Sequence, residues 1–305
     1  MLTRRHLIRL LAAAVPATAL FAEPSADWFG SPAPFPGSPL DYHGFAMHNF
    51  TLDGCAAHAV QPAKALKGRP WVWRTMFWDA FPAADLALLK AGFHLAFIDV
   101  GNTFGCPDAM KHFDAFYSAM TGRCKLSKKP ALEGLSRGGL YAYRWAFGNT
   151  EKVGCIYGDA PVCDMKSWPG GKGKGAASPK DWQQAISVYH FSSEQQMMDF
   201  TGNPIDILAP LAAARIPVIH VCGDADRTVP EEENTDIVRT RYRALGGEFT
   251  LIVKEGCDHH PHGLADPAPV INFIVGHCAQ GKTARESLDR APRPGSVTRL
   301  PQGQW

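Results

Sequence analysis

The stretch Pro130-Ala-Leu-Glu-Gly134-Leu135-Ser136-Arg137-Gly138-Gly139-Leu140 decides the fold. A short apolar run, Pro130–Glu133, leads into a serine with glycine two positions to either side, and a helical stretch, Arg137–Phe147, follows. The Gly134-x-Ser136-x-Gly138 spacing puts the serine on a sharp strand-to-helix turn. The glycines let strand and helix approach closely, and the hydroxyl projects past the C-terminal end of the strand. A serine hydroxyl is a weak nucleophile at neutral pH. It needs a neighbouring base, and the base needs an acid to orient it.

Both partners follow in the chain. The apolar run Pro217–Cys222 ends in Gly223-Asp224-Ala225-Asp226-Arg227-Thr228-Val229-Pro230, so a carboxylate lies just past a strand end. The run Phe249–Lys254 is followed by Glu255-Gly256-Cys257-Asp258-His259-His260-Pro261-His262. A histidine on that loop reaches back over the same sheet edge. On either side, strand-like runs (Trp71–Arg74, Phe93–Val100, Val153–Tyr157) alternate with helical segments (Pro82–Ala91, Pro107–Thr121, Asn234–Leu245, Pro267–Cys278). Alternation of this kind over about 200 residues predicts a mostly parallel sheet flanked by helices, an α/β fold. A hairpin around Asp53-Gly54 adds antiparallel strands at one edge. Residues 163–210 are too long for a plain crossover and predict a lid insertion.

Composition narrows the function. The 305 residues carry 31 Lys and Arg against 29 Asp and Glu, a formal charge of +2, so no basic field argues for nucleic acid. Arg4, Arg5 and Arg9 precede a short apolar run with Pro16, a pattern similar to a twin-arginine export signal over residues 1–22. The expected localisation is periplasmic or extracellular, with no stable membrane association after signal removal. Residues 23–42 read as a linker or surface wrap and 279–305 as a disordered tail, leaving a catalytic domain at 43–278. The eight cysteines contain no C-x-x-C pair, which argues against a zinc ribbon. Cys106–Cys124 is the first candidate bridge.

With nucleophile, acid and base in this order, the chain resembles the α/β-hydrolase superfamily over roughly residues 44–278. Gly223-x-x-Asp226-x-x-Val229-Pro230 is similar to the acid loop of many members and points to Asp226 over Asp224. Gly256-x-x-His259 is similar to the usual histidine loop and points to His259, with His260 as the alternative base. Asp159, after the run Val153–Tyr157, is the alternative acid, because some members place it there. The elbow also resembles exported esterases and prolyl-oligopeptidase-like hydrolases. The arginine after the serine is similar to glucuronoyl esterases, but their longer Gly-Cys-Ser-Arg-Asn-Gly-Lys motif is absent.

The resemblance implies a Ser136–His259–Asp226 triad working through an acyl-enzyme. The backbone N–H of Arg137, with Thr75 or Met76, forms the oxyanion hole. The expected activity is secreted serine carboxylic-ester hydrolysis on a carbohydrate bearing an acetyl, methyl or feruloyl ester. The alternative is a prolyl-oligopeptidase-like serine peptidase, and a third reading is a degenerate hydrolase that only binds. Arg74, Trp73, Trp168, Lys172 and Lys174 are candidates for a sugar- or uronate-binding wall, against the plainer reading of a solvated basic lid with a packed tryptophan. The apolar stretch Trp71–Phe81 is a candidate acyl pocket. Asp258, His259, His260 and His262 are metal-ligand types, but Pro261 and Gly263 rule out the paired-histidine helix of zinc hydrolases. No metal or other cofactor is expected. The partner is a small-molecule or oligosaccharide ester.

Overall fold

The computed structural model describes residues 35–305. The expected export signal, and the linker as far as residue 34, lie outside the described residues. Strands β1 (Leu40–Tyr42), β2 (Phe45–Leu52) and β3 (Cys55–Gln61) form an antiparallel meander. Strand β3 joins β5 (His94–Ile98) antiparallel. From there β4 (Trp71–Arg74), β6 (Ala131–Leu135), β7 (Cys155–Asp159), β8 (Val218–Gly223), β9 (Phe249–Lys254) and β10 (Val297–Leu300) all run parallel. The spatial order is β1-β2-β3-β5-β4-β6-β7-β8-β9-β10.

The helices are α1 (Ala83–Lys90), α2 (Pro107–Gly122), α3 (Gly138–Gly148), α4 (Pro179–Val188), α5 (Glu194–Met198), α6 (Leu208–Ala213), α7 (Thr235–Ala244), α8 (Ala268–Cys278) and α9 (Gly281–Leu288). They cover both faces of the sheet, as β4 demonstrates. Trp71 and Trp73 point into one core, beside Phe113 of α2 and Trp145 of α3. Val72 points into the other, which also holds Leu88 of α1 and Phe273 of α8. Successive strand residues face opposite ways, so a sheet covered on both sides reads as an unbroken apolar run. Among the described residues, no helix is long and apolar enough to cross a membrane.

Local chemistry sets several boundaries. Proline opens α2 at its first turn, where its missing N–H costs nothing. Gly92 closes α1 with φ at +96°, and the Gly92 and Phe93 N–H groups return to Leu89 and Leu88 carbonyls. Only glycine adopts that conformation without penalty.

Three expectations change here. Residues 279–305 are ordered structure: α9 lays Leu288 against Gly276 of α8, and β10 pairs with β9 in the register Val297↔Leu251 to Leu300↔Lys254. The polar composition misleads because β10 is an edge strand with mostly exposed side chains, held by backbone hydrogen bonds. The end of the 23–42 linker also belongs to the fold, with Phe35 fully buried against His48 and β1 paired to β2. Finally, Cys106 and Cys124 flank the 16 residues of α2. At 1.5 Å per residue they lie roughly 27 Å apart, so they cannot bridge. The described cysteines are all free thiols, and the closest approach described is Cys155 to Cys278, with sulfurs 3.6 Å apart.

Candidate active site

Ser136, Asp226 and His259 follow the C-terminal ends of β6, β8 and β9, which share one sheet edge. Ser136 sits at φ +46°, a left-handed conformation costing about 1–3 kcal/mol for a residue with a side chain. Three backbone bonds hold it there: Ser136 N–H donates to the Asp159 carbonyl at 2.8 Å, and its carbonyl accepts from Val162 at 2.8 Å and from Gly139 at 3.0 Å. The glycines matter by contact. A Cβ on Gly134 would stand 2.9 Å from the Gly138 backbone, and one on Gly139 would stand 2.6 Å from Pro161.

The three side chains form one hydrogen-bonded line. Ser136 Oγ is 2.9 Å from His259 Nε2, and His259 Nδ1 is 2.7 Å from Asp226 Oδ2. The other Asp226 oxygen accepts from the Thr228 and Val229 N–H groups at 2.9 and 2.7 Å. The acid and histidine loops are also fastened to each other. Arg227 donates side-chain and backbone hydrogen bonds to Asp258, whose carboxyl is pulled down to about 2, chiefly by the Arg227 N–H. Buried Lys254 holds the histidine loop from beneath, donating to the Pro261 and Gly263 carbonyls.

The alternatives are placed elsewhere. His260 is exposed and stacks on Phe81, with ring centroids 5.8 Å apart. Asp159 bonds His262 Nδ1 at 2.9 Å, together with Tyr157 and the Gly263 N–H, so it does not serve His259. Burial alone would raise the Asp159 carboxyl, but the bond from His262 and the positive groups around it hold it below the ordinary range. Asp224 instead accepts from Gly256 and Arg299, the latter on β10.

Of the expected oxyanion donors, Thr75 is excluded: its N–H continues the β4–β6 ladder to the Glu133 carbonyl at 2.9 Å. Among the described residues no acceptor meets the N–H of Met76 or of Arg137. A Cβ on Gly138 would press on Thr75 Oγ1 at 3.2 Å and Met76 Cβ at 3.3 Å, so the elbow and the Met76 loop are in close contact. That loop is strained, with Phe77, Asp79 and Phe81 at φ between +52° and +61°. Arg74 pins it by donating to the Phe77 carbonyl at 2.9 Å and to that of Ala80.

The expected substrate wall is mostly not a wall. Arg74 is fully buried and paired with Asp85 and Glu133, and Trp73 is fully buried in the core. Lys172 pairs with Glu194 at 2.7 Å and Lys174 with Glu232 at 2.9 Å, both near the surface and off the cavity. Replacing both lysines with alanine is therefore expected to leave KM and its salt dependence within about twofold, since exposed pairs contribute little. A several-fold rise in KM, measured against ionic strength, would return them to the site.

Trp168 does face the site. It lines a cavity of about 270 Å³ with Phe77, Ala80, Phe81, Thr228 and the three histidines of the loop. From the stretch Trp71–Phe81, only its last part reaches this wall. The sequence points to Arg137 only through its backbone N–H, yet its side chain also reaches the site. Its guanidinium lies 5.3–5.5 Å from the ring centres of Phe77, Phe104 and Trp168 and bonds Asp181 at 3.0 Å. The motif's arginine was the available signal, but only the lid brings Trp168 and Asp181 to it. Asn234 anchors that lid by accepting from Cys163 and Asp164 N–H groups and donating to Ser167.

Beneath the serine, burial pushes the Glu133 carboxyl well above the ordinary range, and neighbouring Asp85 adds to this. A raised carboxyl favours the folded state below the ordinary Glu value of 4.5 and opposes it as pH rises through the folded value. Glu133→Gln should therefore gain Tm relative to the parent as pH climbs from about 4.5 to 8. Parallel melting curves at both ends check this; a constant difference would contradict it.

No family model and no curated protein matches the chain. Solved structures do. Puromycin hydrolase aligns with TM-score 0.57 and 15% identity over 79% of this chain and 39% of its own. Porphyromonas gingivalis dipeptidyl peptidase 4 aligns with TM-score 0.53 and 12% identity over 72% and 33%. Pyrococcus horikoshii acylaminoacyl peptidase aligns with TM-score 0.54 and 12% identity over 72% and 40%. The chain spans 33–40% of the length of these three proteins. At such identities the likeness is one of fold.

Proposed function

We propose that this chain, which has the α/β-hydrolase fold, is a serine hydrolase that cleaves an amide bond of a small molecule or short peptide through an acyl-enzyme on Ser136. The observation that carries the hydrolase reading is the continuous Ser136–His259–Asp226 line, with bonds of 2.9 and 2.7 Å. In this mechanism His259 Nε2 takes the Ser136 proton as Oγ attacks the carbonyl carbon. Asp226 holds the imidazole with its proton on Nδ1 and steadies the imidazolium. The Arg137 and Met76 N–H groups receive the charge that develops on the carbonyl oxygen. One such donor is worth about 3–4 kcal/mol of barrier. His259 then protonates the departing amine, and water attacks the acyl-serine through the same base.

Peptide and amide bonds lead because the three structures compared above include two peptidases beside a puromycin hydrolase. A carbohydrate ester is the second reading. It is favoured by the aromatic rings of Trp168 and Phe81 in the lining of the cavity, ring faces of the kind on which a sugar can stack. Export belongs to the same proposal and rests on residues 1–22.

Specificity constants separate the two. Aminoacyl and N-acyl-dipeptide p-nitroanilides are compared with acetylated, methylated and feruloylated sugars, each against Ser136→Ala. The peptide reading expects the anilides to be hydrolysed with the higher kcat/KM. Turnover confined to the sugar esters would replace it with the second reading.

A further inference from the structure

The triad leaves one buried pair unused. His262 Nδ1 bonds Asp159 just as His259 Nδ1 bonds Asp226, at 2.9 and 2.7 Å. Both imidazoles therefore have Nδ1 anchored on a carboxylate, which leaves Nε2 as the other ligand nitrogen; that of His259 meets Ser136 Oγ at 2.9 Å. Their ring centres are 4.9 Å apart. His260 completes the group, 5.0 Å from His259 and 4.9 Å from His262. One ligand nitrogen from each histidine lies within 4.8 Å of the other two.

Zinc is held by imidazole nitrogens at about 2.0–2.1 Å, which places tetrahedral ligand atoms about 3.3 Å apart. The three nitrogens need to close by up to about 1.5 Å, which the exposed ring of His260 does by turning away from its stack on Phe81. Carboxylates behind metal-binding histidines fix the ring orientation and raise ligand basicity. This loop already has two of them, and only the Asp226 pair has work in the hydrolase mechanism.

We propose that His259, His260 and His262 bind a divalent transition ion of the zinc type and that the bound ion switches the hydrolase off. This rests on the reading of His259 as the catalytic base. The Nε2 lone pair of His259 has a single use at a time: it accepts the Ser136 proton or it coordinates the metal. The fourth position falls to water or to Ser136 Oγ, which stands 2.9 Å from that nitrogen. The ion lies in the mouth of the cavity and its binding is reversed by a chelator.

Calorimetric titration with Zn2+, without substrate, tests the site apart from the chemistry. One ion per chain is expected for the parent and for Ser136→Ala, with at least tenfold weaker binding for His260→Ala, an exposed position where folding is not at stake. Co2+ in place of Zn2+ should give the visible absorption of a tetrahedral site. Zn2+ should also inhibit turnover, EDTA should restore it, and His260→Ala should shift the inhibition constant by the same factor as the binding constant. Absence of binding to the parent at millimolar Zn2+, or binding untouched by His260→Ala, overturns the site. Binding without inhibition overturns the switch. A chain that binds Zn2+ but hydrolyses nothing overturns the proposed function and leaves the site standing.

Discussion

Ser136→Ala is expected to lower kcat by about 10⁵–10⁶-fold and to leave Tm within a degree or two of the parent. The whole acyl-transfer path runs through Oγ, and among the described residues no other hydroxyl is bonded to His259. The half-buried side chain makes no structural contact that alanine would sacrifice, because the backbone bonds to Asp159 and Val162 hold the elbow. Alanine, like serine, bears the cost of positive φ at this turn. Stopped assays together with a melting curve check both halves. Retained activity above a few percent would place the nucleophile elsewhere.

Asp226→Asn should cost about 10⁴-fold in kcat, with KM little changed. An amide at this position donates toward His259 Nδ1 and so drives the proton to Nε2, the wrong tautomer for accepting from serine. The same substitution at Asp159 is the informative control. Asp159 bonds His262, Tyr157 and Gly263, so Asp159→Asn acts on the shape of the loop and should fall well short of the Asp226 loss in kcat. Equal losses at the two positions would mean that the acid of the triad is not fixed as the geometry has it.

The sequence made the frame legible because burial and backbone geometry write themselves into short patterns. Strand β4 is bounded at Trp71–Arg74 in both readings, since a strand buried on both faces is an unbroken apolar run. The elbow was legible because only glycine tolerates the contacts at positions 134 and 139. What the pattern hid was long-range. Arg74 reads as an exposed cation beside a tryptophan, but Asp85 and Glu133 reach it from other elements and draw it wholly inside. Lys172 and Lys174 read as a basic patch, but Glu194 and Glu232 neutralise them from 22 and 58 residues away. The Gly256-x-x-His259 spacing points to His259 over His260, and in the structure it is the His259 ring that meets the serine. β10 is held by its backbone, and composition does not report backbone pairing.

The most direct test of the account is covalent labelling. The chain is treated with a fluorophosphonate while p-nitrophenyl acetate turnover is followed, and the adduct is located by peptide mass spectrometry. Turnover is expected to fall in step with a single adduct on Ser136, with no labelling in His259→Ala. Turnover that persists after full labelling, or an adduct on any other residue, would contradict it.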